Sequence, residues 1–190
     1  MCIRDRWFTV IMGVVGFGGM FSVYTYISWT MTEVAGMDQS LIWVVLMAYG
    51  IGMTIGNAFG GWLADRNLEF GIIFALACLI VILTAFYFLS SHAIPATLCF
   101  GCVAFMGSTL VPSLQLRLVH VAGDDQTLAA ALNQSALNIA NAAGATIGGA
   151  VVGAGLGYSA PALAGAALAA AGCLVWAATM WDKKRLSRRA

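Results

Sequence analysis

Six apolar stretches, each long enough to cross a lipid bilayer, occupy most of this 190-residue chain. An α-helix needs about 20 residues to span the hydrocarbon core of a membrane. Because backbone amides find no water inside a bilayer, segments of this kind must satisfy their own hydrogen bonds as helices. We therefore predict an all-α integral membrane protein built as one six-helix transmembrane repeat over residues 7–181. The predicted spans are residues 7–29, 41–63, 70–90, 95–116, 128–153 and 160–181.

All nine lysine and arginine residues lie on one side of this six-span pattern. The connections near residues 30–40, 90–95 and 154–160 carry none. Since cytoplasmic loops retain cations during insertion, we predict a multi-pass protein of the cell membrane with both termini in the cytoplasm. Residues 1–6 would be a short cytoplasmic start that need not be native sequence, and residues 182–190 a basic cytoplasmic tail. The cations are Arg4, Arg6, Arg66, Arg117, Lys183, Lys184, Arg185, Arg188 and Arg189.

The composition argues against a soluble domain and against several kinds of site. The chain is 61% hydrophobic and 9% charged, whereas a typical soluble domain is about 25% charged. No basic stripe with interleaved aromatic residues supports nucleic acid binding. Cys99 and Cys102 form a C-x-x-C in an apolar span without a nearby histidine, so we interpret them as small buried residues. We expect no metal and no cofactor.

Polar side chains are concentrated in the first, fourth and fifth spans. At about 100° per residue, Gln134, Asn138 and Asn141 fall within a narrow arc of one helix. An amide in lipid without a partner is costly, so this arc should face a watery cavity or join helices by hydrogen bonds. Tyr24 and Tyr26 lie on different faces, so we expect at most one to meet a substrate. The candidate cavity residues are Tyr24, Tyr26, Ser108, Thr109, Gln134, Asn138 and Asn141.

Glycines recur every four residues in the second and fifth spans. Gly52, Gly56 and Gly60 form one stripe, and Gly144 and Gly148 form the other. Because glycine has no Cβ, such stripes let helix backbones approach closely. We predict that both stripes are helix-packing surfaces.

The connection after the second span resembles the G-x-x-x-D-R signature of the major facilitator superfamily, with Gly61, Asp65 and Arg66 in its fixed places. Residues 68–70 are Leu-Glu-Phe, where the signature usually continues with glycine and two basic residues. This departure resembles the copy found in the second half of such transporters. FGGMFSVYTYISWTMTEVAG and AGDDQTLAAALNQSALNIANAAGATIGG resemble the seventh and eleventh helices of drug:proton antiporter-type members. That group includes arabinose, purine and chloramphenicol efflux permeases.

The resemblance implies that the six spans are helices seven to twelve of a major facilitator fold. An N-terminal six-helix half would be the missing partner, since the chain starts with almost no leader before its first span. The first and fourth spans would then line a central cavity, both glycine stripes would lie at the interface with the other half, and the third and sixth spans would meet lipid. The implied function is efflux of a drug-, sugar- or nucleobase-like molecule by proton-coupled alternating access. Asp65, with Gly61 and Arg66, would act as a conformational latch on the other half.

Other functions remain open on the residues alone. A self-sufficient six-helix channel or small dimeric transporter would also make use of the glycine stripes. An intramembrane serine protease needs a histidine at membrane depth, but His92 and His120 fall in predicted loops, so we do not predict an enzyme. No ionisable residue lies in the middle of a predicted span, so this half shows no proton-carrying group.

Overall fold

The computed structural model describes residues 3–122 and 126–187, and this part of the chain is almost wholly helical. Five of its segments are long and apolar enough to cross a membrane, which confirms the all-α membrane fold. The α-helices are α1 (Ile3–Trp29), α2 (Ile42–Leu89), α3 (Ala93–Ala122), α4 (Gln126–Gly153) and α5 (Ala160–Ser187). A π-helix (Thr30–Val34) directly follows α1, and a short 3-10 helix (Gln39–Leu41) precedes α2.

Helix α2 consists of two helical segments that fold back on each other at Asn67. We call residues 42–66 the first leg and residues 68–89 the second leg. Asn67 has φ −156° and ψ 92°, outside the helical region, and its Oδ1 accepts a hydrogen bond from the backbone N–H of Phe70 at 3.1 Å. This is the geometry of an N-cap, so a new helix starts there. A Cβ on Gly71 would lie 3.2 Å from Cγ of Leu63, whereas residues eight apart in a straight helix are separated by about 12 Å. The two legs correspond to the predicted second and third spans. The change of chain direction at Asn67 supports the six-span topology, which stays a prediction.

The core is formed by large apolar side chains from α1, the second leg of α2 and α3. Helix α1 packs on α4 and α5, while α2 packs mainly on α3. Close contact across these interfaces excludes lipid and fixes the helices relative to one another. Fully buried members of the core include Met12, Phe17, Met20, Leu76, Leu79, Leu83, Phe86, Phe100, Leu110 and Leu114.

Both glycine stripes are buried against other helices of this chain. A Cβ on Gly144 would meet the carbonyl oxygen of Gly18 in α1, and one on Gly148 would lie 3.0 Å from that of Ser22. Their placement at the interface with another half was therefore wrong, because a glycine stripe suits any close helix and does not specify which one. In the other stripe, Cβ atoms on Gly52, Gly56 and Gly60 would meet the backbone carbonyls of Gly101, Phe105 and Thr109 in α3.

Candidate functional site

The amide arc of α4 points away from the helix bundle. Gln134, Asn138 and Asn141 are all exposed, while Ala136 and Ala140 on the opposite side of the helix are buried. Within residues 3–122 and 126–187, none of the three amide side chains forms a hydrogen bond to the protein. The arc is thus an open polar surface in an otherwise apolar protein.

Asn133, by contrast, joins two helices of the bundle. Its side chain is buried, and Nδ2 donates to Oε1 of Gln115 in α3 at 3.5 Å. This bond links α3 to α4. The helix-joining alternative for α4 amides therefore describes Asn133, whereas the exposed arc has no such partner among the described residues.

The two candidate tyrosines have different surroundings. Tyr26 is half-buried, its hydroxyl donates to the carbonyl oxygen of Ala145 at 3.2 Å, and its ring packs on Gly148. Tyr24 is 40% exposed, with its ring centroid 4.8 Å from that of Tyr49. Tyr24 therefore presents an open ring edge to its surroundings, while Tyr26 is used in helix packing.

Ser108 and Thr109 lie inside the helix bundle and do not reach its surface. Thr109 is fully buried, and its hydroxyl lies 2.8 Å from the carbonyl oxygen of Phe105 and 3.2 Å from that of Gly56 in α2. Ser108 is 1% exposed, and its hydroxyl has no hydrogen-bond partner among the described residues. In this arrangement neither hydroxyl is available to a molecule outside the bundle.

The Gly61, Asp65 and Arg66 motif projects from the end of the first leg of α2. Asp65 and Arg66 are exposed, and the guanidinium carbon of Arg66 lies 4.2 Å from the ring centroid of Trp62. A Cβ on Gly61 would have no atom within 4 Å. Residues 47, 54, 58, 61 and 65 recur at helical spacing on this face, so Asp65 and Gly61 share a surface on which the described helices leave room.

A charged cluster around the buried Arg117, near this end of the bundle, was missed from the sequence. Oε2 of Glu69 accepts hydrogen bonds from Nη1 of Arg117 at 2.8 Å and from Nε1 of Trp176 at 3.0 Å. The Arg117 side chain is only 4% exposed and that of Glu69 is 31% exposed. The cluster connects the second leg of α2 with α3 and α5.

Arg117 follows the predicted fourth span, and it lies in α3, which continues to Ala122. An arginine in a helix can be buried when a carboxylate compensates its charge, and here that carboxylate is Glu69. The available signal was Glu69 itself, an acidic residue where the resembling signature usually has a basic one.

Comparison with known sequences decides the family. The sequence model described as Major Facilitator Superfamily matches residues 9–190. The chain belongs to the major facilitator superfamily. This result agrees with its apolar helices and with the motif at the end of the first leg of α2.

Three relatives illustrate where this member of the superfamily stands. It is 38% identical over 146 residues to the inner membrane transport protein YdhP of Escherichia coli strain K12. The matched region covers 77% of this chain and 38% of YdhP. It is 34% identical over 171 residues to the MFS-type transporter YfhI of Bacillus subtilis strain 168, covering 88% of the chain and 42% of YfhI. Identity to the chloramphenicol resistance protein of Streptomyces lividans is 28% over 170 residues, covering 87% of the chain and 42% of that protein.

The chain spans about two fifths of the length of the curated relatives it matches. Membership of the major facilitator superfamily, together with five segments among the described residues that are long and apolar enough to cross a membrane, makes it a multi-pass protein of the cell membrane. YdhP and YfhI are named as transporters, and none of the three relatives is named as an enzyme.

Proposed function

We propose that this chain is the C-terminal half of a secondary active transporter that moves small molecules across the cell membrane by alternating access. The observation that carries the proposal is the exposed amide arc of Gln134, Asn138 and Asn141. Removing an unpaired amide from water costs about 2–7 kcal/mol. Three such groups on one face favour a water-filled cavity over contact with lipid.

Two further exposed features suit contact with a second half. Tyr24 of α1 is 40% exposed, with its ring centroid 4.8 Å from that of Tyr49 in α2. The unpartnered face of α2, which carries Gly61 and Asp65, supplies a place where a second set of helices can pack closely. Transporters of two repeats bind substrate between the repeats and rock around it, so a half with one open polar wall and one open packing face suits this design.

We further propose efflux as the direction and proton exchange as the driving reaction. One relative is named as a chloramphenicol resistance protein, and export of a toxic compound is a direct route to resistance. No aspartate, glutamate or histidine lies in the middle of a predicted span. The coupling acid would therefore belong to the N-terminal half, and this half would supply the wall of amides and Tyr24.

The test is reconstitution from two halves. The chain is expressed in cells alone or with an N-terminal half, and export of radiolabelled chloramphenicol, arabinose and adenine is measured with and without a proton gradient. We expect both halves together to export at least one compound and this chain alone to export none, because an alternating-access cavity needs two walls. Robust transport by the 190-residue chain alone would contradict the half-transporter and favour a dimeric one.

The cavity wall is tested with a matched pair of variants. Asn138→Leu removes an exposed amide, whereas Ile139→Leu changes an exposed apolar neighbour on α4 and keeps its character. In the two-half protein we expect Asn138→Leu to weaken substrate binding by about tenfold, as for a lost hydrogen bond of about 1.4 kcal/mol. Ile139→Leu should bind normally. Equal substrate binding by both variants would contradict the proposal that the amide arc lines the cavity.

The latch is a second part of the proposal. A carboxylate at a helix N-terminus contributes about 0.3–1 kcal/mol when exposed and up to ~2 kcal/mol when partly buried. That is enough to shift a two-state equilibrium severalfold. In the two-half protein, Asp65→Asn should slow transport severalfold with little change in substrate affinity. Ala58→Ser is the control, because Ala58 lies on the same exposed face as Asp65. Ala64, the direct neighbour of Asp65 in the chain, is unsuitable as a control because it is buried. Transport by Asp65→Asn at the parental rate would leave Asp65 as an ordinary interfacial charge.

A further inference from the structure

A cavity at the end of α1 has a lining that the proposed transport cycle does not use. Its volume is about 380 Å³, within the range of small-molecule sites. The cavity lies between the last turn of α1, the π-helix and the segment that leads into α2. Its lining residues are Ser28, Trp29, Thr32, Glu33, Met37 and Gln39.

The backbone at this cavity departs from a regular α-helix. The N–H of Ala35 donates to the carbonyl oxygen of Thr30 at 3.1 Å, the wide spacing of a π turn. The hydroxyl of Thr30 lies 2.7 Å from the carbonyl oxygen of Tyr158 and so holds this turn against the connection between α4 and α5. Here the π turn ends α1, as π turns commonly do at the C-termini of helices. The turn places Thr32 and Glu33 in the cavity wall beside Trp29.

Glu33 provides a negative charge that no described side chain neutralises. It is exposed, and within residues 3–122 and 126–187 it forms no ion pair. The connections on this side of the spans contain no lysine or arginine. Asp38, the other nearby carboxylate, accepts a hydrogen bond from the N–H of Ser40 at 2.8 Å and caps the 3-10 helix. Glu33 is therefore the carboxylate that remains available to a ligand in this cavity.

Trp29 provides an aromatic wall that is held in place. Its ring centroid lies 6.5 Å from that of Tyr158 and 6.2 Å from that of Tyr26, and half of the residue stays exposed. An indole attracts a cation over its face, and the Met37 side chain adds a polarizable apolar contact. A carboxylate, an indole and a thioether together favour a cation that carries alkyl groups.

We propose that this cavity is a binding site for alkylammonium cations, separate from the wall formed by the amide arc. The ammonium group binds between the Glu33 carboxylate and the Trp29 ring, and its alkyl groups contact Met37. An anion is repelled by Glu33, and a neutral molecule of the same shape gains neither interaction. The site needs neither a second half nor a gradient, so it stands or falls independently of the proposed transport.

Calorimetric titration of the purified full chain in dodecyl maltoside, an uncharged detergent, tests the site. The probes are choline and its uncharged isostere 3,3-dimethylbutan-1-ol, which differ in charge but hardly in shape. We expect choline to bind at least about tenfold more tightly. Glu33→Gln should weaken choline binding about tenfold, and Trp29→Leu about threefold, as expected for an exposed cation–π contact.

Asp38→Asn is the matched control, because it removes the same charge from the same connection and leaves the cavity lining intact. It should bind choline normally, and all variants should keep the parental helical circular dichroism. Competition with added phosphatidylcholine, but not with phosphatidylglycerol, would identify a lipid headgroup as the source of the ammonium group. If phosphatidylcholine does not compete, the source of the ammonium group is a free ammonium compound. Equal binding of the two probes, or equal losses in Glu33→Gln and Asp38→Asn, would overturn the proposal.

Discussion

Two adjacent glycines of α2 show how strongly a residue's effect depends on the face it occupies. A Cβ on Gly60 would lie 2.5 Å from the carbonyl oxygen of Thr109, whereas one on Gly61 would have no atom within 4 Å. Gly60→Ala should therefore destabilise the chain by about 1–3 kcal/mol through overpacking. Gly61→Ala should leave it unchanged or about 0.5 kcal/mol more stable, because alanine is the better helix former.

Thermal unfolding of the purified chain in detergent measures the effect of both substitutions on stability. The transport rate of the two-half protein measures whether Gly61 contacts the other half. If Gly61 faces the missing half, Gly61→Ala slows transport although it leaves this half stable. Equal melting temperatures for the two variants would contradict the packing of Gly60 against α3. Normal transport by Gly61→Ala would show that the other half does not approach this position closely.

At the scale of helices, the Glu69, Arg117 and Trp176 cluster fixes three elements to one another. Glu69→Gln removes the charge that compensates the buried Arg117, so we expect a loss of about 2 kcal/mol in the free energy of unfolding. Trp176→Phe removes one donor to Glu69 and should cost about 1 kcal/mol. Because both act on the same carboxylate, the double variant should lose less than the sum. Asp65→Asn, at an exposed carboxylate, serves as control and should change stability by less than about 0.5 kcal/mol.

Hydropathy predicted the all-α membrane fold because a bilayer imposes one length and one composition on every span. It did not predict that Arg117, just after the predicted fourth span, is buried within a helix. Only the fold brings Glu69 to Arg117 and Trp176 to Glu69, and the acidic residue at position 69 was the one local signal. The glycine stripes failed in a related way: their spacing predicts a close contact, but the identity of the contacting helix is a tertiary property. Among the candidate site residues, periodicity grouped the exposed amides of α4 correctly, whereas burial of Ser108 and Thr109 depends on α3 packing.

At the scale of the whole molecule, the described helices differ in the surfaces that they leave exposed. The α4 arc is polar and open, and a Cβ on Gly61 of α2 would meet no atom of the described residues within 4 Å. Large apolar side chains are exposed on both legs of α2 and on α5, among them Ile55 at 56%, Phe88 at 71% and Leu174 at 72%. Apolar surfaces of this kind suit lipid, as expected for the third and sixth spans. The proposed cavity wall on α4 is therefore distinguished by its polarity, and the proposed partner surface on α2 by the open position at Gly61.

The predicted orientation of the chain in the membrane is tested at the two ends of α3. Ser91 precedes this helix and His120 lies in its last turn, and both are exposed. Because α3 has 30 residues, about 45 Å at 1.5 Å per residue, one crossing puts its ends on opposite sides of the bilayer. The sorting of cations predicts that Ser91 faces outward and His120 faces the cytoplasm.

With the five native cysteines replaced, Ser91→Cys should react with an impermeant maleimide on intact cells. His120→Cys should react only after the membrane is opened, and the cysteine-free parent should not react at all. The reverse labelling pattern would mean that the chain has the opposite orientation in the membrane. The Glu33 cavity would then lie at the cytoplasmic surface, since that cavity and Ser91 lie at the same end of the bundle. Equal labelling at both positions would contradict a single crossing by α3, and with it the six-span arrangement on which the transport proposal rests.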